Sequence, residues 1–174
     1  VLTVLFFFVF VASLFRLGVG PDTQLLRMMG GGVVWVSALL AALATSFDSG
    51  TVFLAVVDPD VGSDRPAVVI EADGKWYVGP DNGTITLWLE RLEMQGQQTA
   101  FYHLDCPEYW LPEVSHVFHG RDIFAPVAAH LARGVSFDEI GSPITHILEL
   151  ELFHAQTTEH GLCGKVIHTD HFGN

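Results

Sequence analysis

The sequence predicts an α/β protein whose largely parallel sheet is covered by helices on both faces, giving three layers. Short apolar runs typical of strands alternate along the chain with longer runs typical of helices. Residues 51–57, TVFLAVV, are apolar at nearly every position, as expected of a strand buried on both faces. A length of 174 residues suits one domain with a substantial core.

The boundaries of the predicted elements follow from glycine, proline and Asp-Gly pairs. The glycine run 30–32 predicts a loop, and Asp73-Gly74 between two apolar runs predicts a hairpin. We predict strands at 1–6, 51–57, 66–72, 75–79, 99–104 and 164–170, and helices at 10–18, 33–47, 84–94 and 122–134.

Charge and cysteine content exclude some classes of function. The net charge is −12, and the eight Lys and Arg residues are scattered singly, so a nucleic-acid partner is not expected. Cys106 and Cys163 have no zinc-binding spacing. A disulfide between them is one interpretation, and a reduced pair in a cytoplasmic protein is the simpler one.

The first fifteen residues, VLTVLFFFVFVASLF, carry no charge. The segment is short for a membrane span and lacks the basic start of a signal peptide. A buried strand running into a helix is the favoured interpretation, with a signal or membrane anchor as the alternative. Contact with a membrane is therefore not expected.

Four polar clusters follow predicted strands or open a predicted helix. They are DPDVGSDR at 58–65, PDNG at 80–83, FHGRD at 118–122 and DHFGN at 170–174. Each alone is compatible with a turn or a helix start. Ligands in open α/β sheets bind at the carboxyl ends of strands, so together these clusters predict one site.

These motifs, in this order and spacing, resemble the S-adenosyl-L-methionine (SAM) hydroxide adenosyltransferases, the SAM hydrolases related to fluorinating and chlorinating adenosyltransferases. The resemblance runs from about Phe47 to Asn174, with a fainter likeness at 10–26. It implies attack of water or hydroxide on C5′ of SAM, giving adenosine and L-methionine without a cofactor. It also implies a homotrimer, and a C-terminal β-barrel domain that residues 1–174, a single domain of N-terminal type, do not contain.

The resemblance assigns roles to individual residues. It implies catalytic roles for Asp58, Arg65 and His119, with Arg121 and Asp122 expected to buttress the loop beside them. The substrate-binding residues that it implies are Gly120, Asp170, Phe172, Asn174, Asp81 and Asn82, and no metal ligand is among them.

The sequence departs from the family pattern at several sites, among them residues 27–30, RMMG, where the family has Asp-x-Thr-His. No acidic residue precedes Asp22, and Val4 stands at or beside the position of the aspartate that holds the ribose. Asp60 stands where the family has glycine. A catalytically dead remnant that binds SAM or adenosine is therefore the main alternative to a hydrolase.

A metal-dependent hydrolase is a third possibility. His116 with His119, and His168 with Asp170 and His171, have spacings that metal ligands can have, although neither set forms a His pair on one helix face.

Overall fold

The computed structural model describes residues 4–8, 23–152, 154–164, 166 and 173, with side chains from residue 32 onward. The strands are β1 Val4–Phe8, β2 Val52–Val56, β3 Ala67–Ala72, β4 Lys75–Pro80, β5 Thr99–His103, β6 Ser142–Ile144, β7 Gln156–Thr158 and β8 Gly161–Cys163. The helices are α1 Thr23–Leu43, α2 Thr86–Met94, α3 Ala125–Ala132 and α4 Phe137–Ile140. Short 3₁₀ turns occur at Ala44–Ser46 and Pro107–Tyr109, and a π-helical turn at Gly120–Phe124.

Six strands form one sheet in the order β1-β2-β4-β3-β5-β6. The pairs β1–β2 and β2–β4 are parallel, whereas β3–β4, β3–β5 and β5–β6 are antiparallel. The α/β class is confirmed, and the sheet is mixed because the two-residue turn Asp73-Gly74 can only return the chain antiparallel. Both turn residues have positive φ, 54° and 70°, as a tight hairpin turn requires.

Helices cover both faces of the sheet, which confirms three layers. Alternate residues of β2 point to opposite faces, as the pleat dictates. Phe53 packs in the same core cluster as buried residues of α1 and α2, including Leu40 and Trp88. Leu54 packs in the second cluster with the buried face of α3, including Val127.

The first helix differs from its prediction. It begins at Thr23 and continues through the glycines at 30–32, so the loop predicted there is wrong. Glycine costs about 1 kcal/mol per residue in a helix interior, but tertiary packing routinely outweighs such a preference. The packing that follows the glycines is extensive, because Val33, Val36 and Leu40 are buried against the sheet.

Two other predicted elements fall largely outside the described residues. They are the helix at 10–18 and the strand at 164–170, of which Gly164 and Val166 are described and have no strand structure. The hairpin β7–β8, just before the second of these, was not predicted. Within the described ranges, no helix combines the length and apolar character needed to cross a membrane.

After β6 the chain continues as residues 145–152, which have no helix or strand structure and which we call the strap. The Leu148 amide donates to Asp81 Oδ1 at 2.7 Å, and the Leu150 amide donates to Thr86 Oγ1 at 2.9 Å. A Cβ on Gly83 would lie 2.5 Å from Cγ of Leu150, so only glycine fits beneath the strap. The strap therefore fastens the 81–84 loop and the start of α2.

Candidate functional site

The predicted clusters at 58–65 and 80–83 both lie at the carboxyl edge of the sheet. β2 and β4 are parallel neighbours, so the residues that follow them emerge side by side. Asp58 comes just after β2, and Asp81 comes just after β4. This edge of the sheet is the candidate active site.

The loop after β2 folds back so that Arg65 reaches the carboxylates at its start. Arg65 Nη1 donates to Asp58 Oδ1 at 3.0 Å, and Nη2 forms a second ion pair with Asp60. The side chain of Asp58 is 8% exposed and that of Arg65 is 20% exposed, whereas Asp60 is 59% exposed. One guanidinium is therefore shared between a buried and an exposed carboxylate.

Burial raises the pKa of the Asp58 carboxyl above its ordinary value, because desolvation penalises the charged form. The charges of Arg65 and His119 and a hydrogen bond from the Asp60 backbone oppose the rise in this pKa, and the charge of Asp60 adds a smaller contribution to it. His119 is thus close enough to act on the charge of Asp58. The structure therefore brings together the three residues predicted to be catalytic.

The loop bearing Asp58 and Arg65 lies directly against the segment that leads to His119. Gly62, at φ 87°, comes so close to His116 that a Cβ would lie 2.6 Å from the His116 carbonyl oxygen. This contact fixes the distance between the two loops.

Asp122 organises the turn that carries His119 and Gly120. Its side chain is inaccessible to solvent, and Oδ2 accepts the Ser115 amide at 2.8 Å. Arg121 donates to it from Nε at 2.6 Å and Nη2 at 3.2 Å. The Arg121 bond, assisted by the Ser115 amide, lowers the pKa of Asp122. Arg121 and Asp122 buttress the loop, as expected from the sequence.

Gly120 opens a π-helical turn, an uncommon geometry that is frequent at functional sites. Because the turn leads directly into α3, His119 stands at the start of a rigid element. Arg121, the second residue of the turn, is mostly exposed, and its guanidinium carbon lies 4.9 Å from the centre of the Phe118 ring.

Asp81 and Asn82, in the loop after β4, differ in their burial and in their contacts. Asn82 is buried, donates from Nδ2 to the Val57 carbonyl at 2.5 Å, and accepts the Thr84 amide at 3.2 Å. It therefore ties this loop to the end of β2. Burial raises the pKa of Asp81, while the Leu148 amide and the charges of Arg65 and His103 oppose the rise. Asp81 thus borders the Asp58–Arg65 pair.

His103 belongs to this edge but was not predicted, since TAFYHL was assigned only as a strand. Because β5 is antiparallel to β3, and β3 to β4, the ends of β4 and β5 share one edge of the sheet. His103 pairs with Val68, which on its other side pairs with Gly79. A polar residue at a strand end was the available signal, but strand order was needed to use it.

The remaining predicted site residues lie outside the described part of the chain. These are Asp170, Phe172 and Asn174. Among the described residues, no three His, Cys, Asp or Glu side chains are grouped closely enough to hold a metal ion. His168, Asp170 and His171, of the metal alternative, also fall outside that part.

A surface cavity of about 260 Å³ lies elsewhere, beside Leu89, Thr99 and Glu149. Thr99 begins β5 and His103 ends it, so the cavity is near the opposite end of that strand from the candidate site.

Comparison with known proteins identifies relatives of most of the chain. A family model for the SAM hydroxide adenosyltransferase N-terminal domain matches residues 32–141. An (R)-S-adenosyl-L-methionine hydrolase of Salinispora tropica is 37% identical over 159 residues, covering 88% of this chain and 60% of that protein. A fluorinase of Nocardia brasiliensis is 26% identical over 155 residues, covering 74% and 50%.

A solved structure has the same fold. The crystal structure of an uncharacterized conserved protein from Thermotoga maritima is 33% identical, with a TM-score of 0.70, and covers 80% of this chain and 52% of that one. The chain spans about half the length of the curated relatives it matches.

The first residues resemble a different family. A model for the CcmB protein matches residues 1–49, and a heme exporter protein B of Pseudomonas aeruginosa is 56% identical over 39 residues, covering 22% of this chain and 18% of that protein. The two model matches overlap at 32–49. The stretch without acidic residues before Asp22 lies ahead of the first match and inside the second.

The carboxyl-edge cluster of Asp58, Arg65 and His119 lies within residues 32–141, and that match extends over more than half of the sequence. By this match the chain belongs to the SAM hydroxide adenosyltransferase family, through that family's N-terminal domain.

Proposed function

We propose that this protein hydrolyses S-adenosyl-L-methionine at C5′, giving adenosine and L-methionine. One observation carries the proposal: Arg65 is ion-paired with the buried Asp58, and the loop that bears this pair packs through Gly62 against the segment leading to His119. The named relatives, an (R)-S-adenosyl-L-methionine hydrolase among them, support the choice of substrate.

The proposed reaction is a single displacement. A water oxygen forms the bond to C5′ while the C5′–S bond breaks, and its electron pair stays on sulfur, which leaves as the neutral thioether of methionine. The leaving group needs no acid. The protein's task is to hold one water in line with the C5′–S bond, and such positioning can supply several kcal/mol.

The three residues have different roles in this scheme. Arg65 remains protonated and so cannot act as a base; it holds the water and stabilises hydroxide character. Asp58 fixes the guanidinium through Nη1. His119 accepts the proton that the attacking water loses.

The substrate contacts are also proposals. Gly120 and Asp81 border the cluster and would approach the substrate, and Asn82 ties the loop that carries Asp81 to the end of β2. Asp170 would meet the amino-acid end of SAM and Asn174 the adenine, with Phe172 between them in sequence.

We further propose that residues 1–174 act as one domain of N-terminal type, and that the full-length protein is a homotrimer that needs no cofactor. A cytoplasmic location fits Cys106 and Cys163, which are free thiols.

The proposal is tested by chromatographic assay of adenosine released from SAM by the purified protein, His119→Ala and His116→Ala. His116 is exposed and three residues from His119, so its substitution is the matched control. We expect adenosine from the wild type and His116→Ala, and at least about a hundredfold less from His119→Ala.

Absence of adenosine from a folded wild-type protein would contradict hydrolysis. Titration calorimetry with SAM and adenosine then identifies the alternative, because binding without turnover is the property of a catalytically dead remnant.

A further inference from the structure

Asp60 places a second carboxylate on the guanidinium of the proposed catalytic arginine. Asp58 engages Nη1 of Arg65 and Asp60 engages Nη2, so each terminal nitrogen has its own acidic partner. A guanidinium that is ion-paired at both terminal nitrogens is restricted in rotation about its terminal C–N bonds.

The backbone holds Asp60 in this position without strain. The Ser63 amide donates to the Asp60 carbonyl at 3.0 Å, and the Val61 amide to the Asp58 carbonyl at 3.4 Å, so the loop turns tightly here. Within the described residues, Asp73 is the one non-glycine residue with positive φ, and Asp60 therefore has an ordinary backbone conformation. Its substitution should not disturb the loop.

The charges near the Arg65 guanidinium favour restraint of this side chain over activation of the attacking water. Arg65 supplies one positive charge, and two carboxylates contact it directly, while Asp81 is close enough to feel its charge. A nucleophile that gains hydroxide character is disfavoured by this acidic excess. Asp60 is the more exposed of the two carboxylates that contact Arg65. Its contact therefore adds negative charge but is not part of the buried site.

We propose that Asp60 is a positioning residue that restrains Arg65 through Nη2 and limits the positive charge that Arg65 presents to the attacking water. The kinetic part of this inference rests on the proposed hydrolase function. The structural part, restraint of Arg65, does not.

The kinetic test compares Asp60→Asn and Asp60→Ala with Asp64→Ala. Asp64 is exposed in the same loop, and the structure gives it no ion pair among the described residues, so its substitution removes an equal charge without touching Arg65. We expect Asp60→Ala to raise kcat about three- to tenfold, with Asp60→Asn between it and the wild type and a smaller change in KM. Asp64→Ala should match the wild type.

Three kinetic results would overturn the proposal: an unchanged or lower kcat in Asp60→Ala, a change confined to KM, or an equal effect of Asp64→Ala. The last would mean that the charge of the loop matters and the contact with Arg65 does not.

A spectroscopic test addresses the restraint itself. Arginine ¹⁵N NMR reports rotation about the guanidinium bonds, and Arg65→Lys identifies the Arg65 signals. We expect slow rotation in the wild type and Asp64→Ala, and faster rotation in Asp60→Ala. Equal rotation in all three would overturn the restraint. If the wild type releases no adenosine while the rotation still depends on Asp60, the hydrolase proposal fails and the restraint stands.

Discussion

Asp58 combines burial with a charge that its surroundings do not fully compensate. Desolvation is the dominant influence on its pKa and raises it, with Arg65 and His119 opposing. Active sites commonly hold groups that reduce stability for the sake of function. The ionised Asp58 carboxylate has this character, and its cost to stability can be measured separately from its role in the reaction.

Substitution of Asp58 by asparagine should raise the free energy of unfolding at neutral pH while removing activity. The folded-state pKa lies above the ordinary 3.8, so folding favours the protonated form. The cost of ionisation is therefore absent well below pH 3.8 and is fully present above the folded-state pKa. Thermal unfolding should show a higher Tm for Asp58→Asn at pH 7, by about 2–4 °C per kcal/mol.

Acidification should remove this advantage, because the wild-type carboxyl then becomes neutral as well. A Tm difference that stays constant from neutral to acid pH would contradict the assignment.

Asp122 should behave in the opposite way. Its carboxylate satisfies the Ser115 amide, so Asp122→Ala leaves a backbone donor without its partner and should cost about 1–3 kcal/mol. Glu113→Ala, in the exposed stretch before Ser115, is the control and should cost little. Denaturant unfolding measures both. Equal stability of the two variants would mean that solvent replaces the Asp122 contact.

At the scale of elements, loops that face each other fix the site more closely than the strands do. Gly62 marks the contact between the 58–65 loop and the segment before His119. Gly96 also has positive φ, 67°, but a Cβ there would meet no atom within 4 Å. Substitutions at Gly96 and Gly62 therefore distinguish the cost of backbone strain alone from the cost of strain together with a steric clash.

Gly96→Ala should lower stability by about 1 kcal/mol, the cost of forcing alanine into a left-handed conformation. Gly62→Ala should cost more, because its Cβ also meets the His116 carbonyl at 2.6 Å, and it should reduce turnover by displacing His119. Comparison of unfolding free energies and kcat for both variants measures the difference. Similar losses in both would place the two loops farther apart than the structure has them.

Elements specified by local sequence were predicted well. The Asp73-Gly74 hairpin follows from two adjacent residues that accept positive φ, and the helix at 84–94 corresponds to α2, Thr86–Met94. The glycines at 30–32 were assigned to a loop because their preference is local, whereas the packing that keeps them helical comes from the distant sheet.

The predicted site residues show the same difference between what local sequence specifies and what depends on distant contacts. Asp58, Arg65 and His119 were predicted from motifs, whereas the position of Asp58 and Arg65 at one edge of the sheet depends on neighbouring strands. His103 was missed because only the strand order brings it to the same edge. The contact between Asp60 and Arg65 could not be predicted from composition, since it depends on how the loop turns.

At the scale of the whole molecule, twenty acidic residues face eight basic ones. The resulting negative potential attracts cationic ligands over a Debye length of about 10 Å at 0.1 M salt. SAM carries a sulfonium and an ammonium against one carboxylate, and so has a net positive charge. The composition therefore favours the proposed substrate over substrate analogues that lack the sulfonium charge.

Rising salt should therefore weaken SAM binding about two- to fivefold between low and roughly 0.5 M ionic strength. S-adenosylhomocysteine has nearly the same shape but no sulfonium charge, and its affinity should change little. Titration calorimetry of both ligands with the His119→Ala variant, in which SAM is not consumed during the titration, provides the comparison. An equal salt response for the two would show that the acidic surface does not act on the sulfonium.

The strap has a consequence for how the protein is made. Asp81 receives the Leu148 amide from 67 positions later in the chain. At about 5–20 residues per second, a ribosome needs roughly 3–13 s to add that stretch. The β3–β4 hairpin can pair long before then, whereas the adjoining 81–84 loop is not fastened until the strap has been synthesised. The edge that carries the proposed chemistry is therefore completed only once the strap has been added, after the core beneath it has had time to begin packing.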